Sequence, residues 1–173
     1  MAAAKLYPLV PLLAMALSSG CLLDRNTSGV STRGDDLAIS FMVIDKFGLP
    51  ADQFIQGDQA TFRILYRNTT DSKLSLDFTA PGYVIGLVDK NSGNTVWTAN
   101  YGLFYAQVIG KFDMDPYETK TEDIKWNLTS NEGATPGESS SGAPLPIGSY
   151  QAKFSGYYGG VTFDLAPLDI RIE

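Results

Sequence analysis

Few residues of this chain could do chemistry. No histidine occurs in it, and Cys21 is its single cysteine. Without an imidazole there is no Ser-His-Asp or Cys-His nucleophile, and one thiol does not build an ordinary zinc site. What remains is oxygen chemistry. Asp113, Asp115 and Glu118 lie close in sequence, and a strand through the first two would hold their carboxylates about 7 Å apart on one face. A glycosidase pair can use such a separation, and the same three hard oxygen donors could take calcium. The spacing matches no calcium-loop motif, and acids beside Pro116 are more often solvated turn residues. No catalytic residue, metal or cofactor is therefore assigned. A second set is aromatic: Tyr101, Phe104, Tyr105, Tyr157 and Tyr158 lie in glycine-flanked segments. Neighbouring strand residues point to opposite faces, so these five cannot all enter a core. Outside a core they suit a protein interface or sugar stacking. They are the candidate binding residues, and packing under loops and along sheet edges is the alternative.

The elements that must position them read as short strands. Residues 83–97 contain two extended apolar runs joined by Asn91-Ser92-Gly93-Asn94, a hairpin signature whose turn residues tolerate positive φ. Val84 and Trp97 are expected in its core. In residues 60–68, Ala60, Phe62, Ile64 and Tyr66 alternate with Thr61, Arg63, Leu65 and Arg67, which predicts a sheet with one buried face. Residues 37–45 are apolar on both faces, as in a strand covered on both sides. Leu74, Leu76 and Phe78 continue the alternation before Ala80-Pro81-Gly82, which reads as a chain reversal. Strands follow at about 107–114 and 119–128, the second placing Ile124, Trp126 and Leu128 on one side. Residues 130–146 hold Gly, Ser, Pro and Glu without an apolar stripe and read as a long surface loop. Tyr150, Ala152 and Phe154 alternate after it, and a last strand runs from about 161 to 172, with Pro167 marking an edge or bulge. Eight or nine short strands, frequent turns and no helical pattern predict an all-β, antiparallel β-sandwich domain over residues 37–173.

The N-terminus has a different plan. Residues 1–20 carry one charge, Lys5, then an apolar run from Leu6 to Leu17, then Ser18, Ser19 and Gly20. This is the layout of an export signal, too short and too rich in proline to span a bilayer well. With Cys21 after Gly20, the segment resembles a bacterial lipoprotein precursor, although Ser18 stands where that family usually has Leu. The resemblance implies that Cys21 is lipidated and becomes the N-terminus of a 153-residue mature chain. Each buried methylene contributes about 0.8 kcal/mol, so two or three acyl chains anchor stably. It also implies a lipid-anchored, exported protein of the cell envelope, on the outer membrane where there is one, since Leu22 occupies the place of an inner-membrane retention aspartate. The alternative is a plain secretory signal with a structural thiol. Residues 21–36 read as the lipidated cysteine and a flexible tether, polar from Asp24 to Asp36. Arg33-Gly34-Asp35 and the sequons at Asn26, Asn68 and Asn127 read as chance matches.

Once residues 1–20 are removed, 12 basic face 19 acidic residues, a net charge of −7. Such a domain has no electrostatic attraction to nucleic acid or anionic lipid. With no second cysteine, no disulfide can hold the fold, and the core must do so.

The succession of residues 62–68, Val88-Asp89 to Val96-Trp97, Trp126 and Pro146-Ile147-Gly148-Ser149-Tyr150 resembles the bacterial intracellular proteinase inhibitor (BsuPI) family over about residues 55–158. The resemblance implies an immunoglobulin-like sandwich. Its motifs are turns and core aromatics, so no inhibitory residue transfers with it. Three functions stay open: a non-enzymatic protein-binding or structural module of an envelope lipoprotein, a proteinase inhibitor that uses the 130–146 loop, and a carbohydrate-binding module that uses Tyr157 and Tyr158.

Overall fold

The computed structural model describes residues 27–33, 36–105 and 109–173. The leader, Cys21, Asn26 and the expected start of a strand at 107 lie outside these residues. The strands are β1 (Thr27–Arg33), β2 (Leu37–Ile44), β3 (Gln53–Phe54), β4 (Ala60–Asn68), β5 (Leu74–Asp89), β6 (Thr95–Thr98), β7 (Ile109–Met114), β8 (Thr119–Trp126), β9 (Gly148–Tyr158), β10 (Val161–Asp164) and β11 (Leu168–Ile172). One sheet has the order β1-β2-β4-β8, and the other β3-β11-β9-β5-β6, with β10 also on β9 and β7 also on β5. Every pairing is antiparallel except β3 with β11. This is the β-sandwich expected from the strand pattern, with eleven strands among the described residues instead of eight or nine, and it is immunoglobulin-like as the resemblance implies.

Three expectations about the layout of the strands change. The sandwich starts before Leu37: β1 pairs with β2 from Thr27↔Met42 to Arg33↔Leu37, so part of the expected tether is an edge strand. Its polar residues suit an edge, where one row of backbone groups faces water and no apolar stripe is required. The expected final strand is two. Asp164↔Ser155 and Leu168↔Ala152 differ in register by one residue, which is a bulge at Pro167, a residue that cannot donate to the ladder. And Ala80-Pro81-Gly82 does not reverse the chain. It lies inside β5, where the five steps from Phe78 to Tyr83 face only two steps of β9, from Tyr158 to Gly156. The Ala80–Pro81 peptide is cis and Gly82 has φ 81°. β5 therefore makes an excursion and then resumes.

The alternation in β4 holds throughout: Ala60, Phe62, Ile64 and Tyr66 are buried. In β2 the inner row of Leu37, Ile39, Phe41 and Val43 is buried, and of the outer row only Ile44 is, beside an isolated bridge to Pro50. The outer face of β2 is thus covered at one end alone. In the central hairpin Trp97 is fully buried, but Val84 is 49% exposed, and Ile85 and Leu87 fill the core instead. The excursion shifts the phase of β5, and a one-residue change of phase exchanges the faces.

The core centres on Phe62. Its ring stacks on Trp97 and on Trp126, each at 5.3 Å between centroids, and on Phe41 at 5.7 Å. Trp97 belongs to one sheet and Phe62, Trp126 and Phe41 to the other, so the stack joins the two layers. Both indole N–H groups donate to loop carbonyls, Trp97 Nε1 to Ser139 at 2.7 Å and Trp126 Nε1 to Thr129 at 2.9 Å. The loop at 130–146 is consequently tied down at Ser139 and fixed at its entry by the bond to Thr129, with Ala134 and Leu145 buried, rather than free of core-facing residues. A composition rich in Gly, Ser and Pro concealed two isolated apolar anchors.

At the far end of β4, Asn68 is fully buried. Its Nδ2 donates to the carbonyls of Ser72 and Asp115, and its Oδ1 accepts from the backbone N–H and the hydroxyl of Thr70. This sequon is a structural turn. Asn68→Ala would strand two carbonyls and an amide, and it should lower unfolding stability in urea by about 2–4 kcal/mol. A loss under about 1 kcal/mol would mean that water replaces the side chain.

Across the β4–β8 ladder, Arg63 donates two bonds to Asp123, at 2.7 and 2.8 Å. The guanidinium holds the Asp123 carboxyl below its usual range. Asp58, bonded by Lys46, and Asp169, bonded by Gln151 and then Lys90, are depressed likewise. A carboxyl depressed by folding adds stability above its unfolded pKa and loses it as pH falls through its folded value. The urea midpoint should therefore drop as pH falls below about 4. Arg63→Gln should make that drop shallower, and an unchanged pH profile would exclude the pair as a contributor.

Candidate functional site

The site is built where two short strands share one long one. β6 pairs with β5 at Gly86, Leu87 and Val88, and β7 pairs with it from Leu74 to Thr79. Both lie along the same edge of β5, and between them is the stretch that contains the excursion. The residues that follow β6 run along this gap. The first of them satisfy the backbone there: Ala99 N donates to the carbonyl of Ile85 at 3.0 Å, and Asn100 Nδ2 to that of Tyr83 at 3.0 Å. Leu103 N then closes a turn on the carbonyl of Asn100, and Gly137 N donates to that of Tyr101 at 2.9 Å. The 130–146 loop, itself held by Trp97 at Ser139, thus supports the base of the aromatic loop.

Beyond these ties the side chains turn outward. Phe104 is 99% exposed, and Tyr101, Leu103 and Tyr105 are also solvent-facing. Full burial of a phenylalanine contributes about 1.5–3 kcal/mol, and none of it is gained here by folding. No residue between 101 and 105 is charged. The result is an uncharged aromatic projection on a fastened base.

Of the five candidate residues, the structure brings Tyr101, Phe104 and Tyr105 together on this loop. Tyr157 stands elsewhere, on the outer face of β9, lining a shallow groove with Ser75, Asp77, Thr79 and Ile109. Tyr158 is a correction, being only 3% exposed. Its hydroxyl shares a 2.8 Å hydrogen bond with that of Tyr66, and its ring packs on Phe112 at 5.3 Å. The reason is the period of β9, in which Tyr150, Ala152, Phe154, Gly156 and Tyr158 all face inward. Burial pushes the Tyr158 hydroxyl up to about 12 and also raises that of Tyr66, so both phenols stay neutral and structural. Near the excursion, Tyr83 donates to Glu122 Oε1 at 2.6 Å. Its hydroxyl is raised too, first by burial and then by that bond.

The acids separate. β7 ends at Met114, so Asp115 shares no strand face with Asp113. The Glu118 carboxylate accepts from Asp115 N at 2.7 Å and closes a turn, and the Asp113 carbonyl takes Lys120 Nζ. Among the described residues, no group of three or more acids or thiols has a metal-holding arrangement. Sequence reasoning missed the supports Asn100, Gly102 and Pro136. Each acts through a contact distant in sequence, for which no local pattern exists.

By its layers and pairings the domain is an immunoglobulin-like sandwich with an aromatic loop over an interrupted edge. The chain belongs to the intracellular proteinase inhibitor (BsuPI) family, whose pattern matches residues 49–154. No curated protein matches it in sequence. Among solved structures, the C-terminal domain of wzt is similar at a TM-score of 0.46 and 7% identity, over 84% of this chain and 78% of that one. The CARDB domain of a Pyrococcus furiosus protein, in complex with di-metal ions, is similar at 0.40 and 10%, over 80% and 90%. A β-glucosidase from Listeria innocua in complex with glucose is similar at 0.40 and 10%, over 76% of this chain and 16% of the enzyme.

Gly102 is the residue on which the loop's seat depends. It has φ 69°, and a Cβ there would lie 2.5 Å from Pro136 Cα and Cβ. Gly48, at φ 80°, would place its Cβ in open space. Gly102→Ala should cost about 1–3 kcal/mol in thermal or urea unfolding and clearly more than Gly48→Ala. Equal costs would mean that the two loops separate freely.

Proposed function

We propose that this chain is an exported protein of the cell envelope, held to a membrane through lipid on Cys21, whose immunoglobulin-like domain is a non-enzymatic protein-binding module. A proteinase is the partner its family favours. The observation that carries this reading is the loop at 101–105, which presents uncharged aromatic side chains to solvent from a base secured by hydrogen bonds. An exposed apolar side chain on a firm support is what an interface anchor requires: it loses little freedom on docking and gains its burial there. Family membership makes inhibition of a proteinase the first activity to measure. The paired Tyr157–Tyr158 platform of a carbohydrate-binding module has no counterpart, because Tyr158 is in the core.

The address and the activity are tested separately. Cys21→Ser should move the protein from the membrane fraction to the soluble fraction, and retention on the membrane would remove the lipid anchor from this account. The full chain, extracted in detergent and titrated against serine and metalloproteinases, should abolish the activity of at least one near a 1:1 ratio. Full proteinase activity at large molar excess would overturn the inhibitor reading.

A further inference from the structure

We propose that Phe104 is the residue this domain places in the primary specificity pocket of its target, and that the target is an endoproteinase with an apolar, uncharged pocket of the chymotrypsin or subtilisin kind. The inference rests on the inhibitor reading above and assigns its contact residue.

Three observations lead to Phe104. It is almost wholly exposed, while its neighbours Leu103 and Tyr105 are only partly so, so its ring is the most available part of the loop. Its setting is firm. The N-terminal side is bonded to β5 through Ala99 and Asn100 and braced from outside by Gly137, and β7 resumes pairing with β5 at Ile109↔Thr79. Phe104 thus stands within a few residues of ties to β5 and to Gly137, and such restraint lowers the entropy lost on docking. Lastly, the chemistry selects the pocket. Residues 101–105 carry no Lys or Arg, so the loop offers nothing to a pocket with a carboxylate at its floor, whereas a large aromatic ring fills a hydrophobic slot.

The 130–146 loop, the other candidate for insertion, is poorly placed for it. Its apolar residues Ala134 and Leu145 face inward, its Ser139 carbonyl accepts from Trp97, its Ser140 hydroxyl donates to the Lys125 carbonyl, and much of its remaining backbone is taken by bonds within the loop. Its part is to support the inhibitory loop from behind.

The test uses the full chain in detergent, with chymotrypsin and trypsin as probes. The native chain should inhibit chymotrypsin and spare trypsin. Phe104→Ala should weaken chymotrypsin inhibition at least 100-fold, and Phe104→Arg should lose it while gaining inhibition of trypsin. Both variants should unfold at the native temperature, since a ring this exposed contributes little to the fold. Phe47→Ala, which removes an exposed ring from the loop between β2 and β3, should inhibit like the native chain. If the native chain inhibits chymotrypsin and the Phe104 variants do so equally well, the assignment of Phe104 is overturned and the inhibitor reading stands. If it inhibits trypsin alone, the apolar-pocket assignment is overturned. If chymotrypsin cuts rapidly after Phe104 and regains full activity, the loop is a substrate and the assignment falls. If none of chymotrypsin, trypsin and subtilisin is inhibited, this assignment falls, and the inhibitor reading falls with it only when the metalloproteinases also keep full activity.

Discussion

The stack of Trp97, Phe62 and Trp126 is the interaction on which the rest of this domain depends. With no disulfide available, the two sheets are joined by apolar contact, and these rings supply its centre. The polar edge of each indole must still find a partner, because a buried N–H without one is costly. Both donate into the connection between β8 and β9. The core thereby organises a loop that has few apolar residues of its own.

That arrangement reaches the site through Trp97. It sits on the four-residue strand β6, immediately before the aromatic loop. One face of the indole secures β6 against Phe62, and its N–H holds the loop whose Gly137 braces Tyr101. A single buried side chain thus fixes both the root and the support of an exposed loop. The excursion in β5 supplies the remaining condition. By interrupting the edge it prevents β6 and β7 from forming one continuous partner, and it leaves Tyr83 and Ile85 carbonyls for Asn100 and Ala99 to satisfy.

The electrostatics are consistent with a surface that recognises by shape. Shifted carboxyls belong to solvent-facing surface pairs such as Arg63–Asp123 and Lys46–Asp58, which contribute little individually. Shifted phenols are buried tyrosines kept neutral. Neither group is at the tip of the 101–105 loop, where aromatic area is presented without charge.

Much of this protein is determined by sequence alone. The period of two in β4 and β9, the turn at Asn91–Asn94, and the absence of histidine and of a second cysteine establish a β-sandwich without imidazole chemistry or disulfides. Tyr158 could have been placed as well, by extending the inward row of Tyr150, Ala152 and Phe154. These features are legible because strand alternation and residue chemistry are local. Tertiary structure alone decided that Pro81 bends a strand instead of ending it, that residues 27–33 add an edge, that Val84 faces out, and that Phe104 stands free while Tyr158 does not. Each of those outcomes depends on which distant strand supplies the missing hydrogen bonds and which distant ring occupies the space, and no spacing within the chain encodes either.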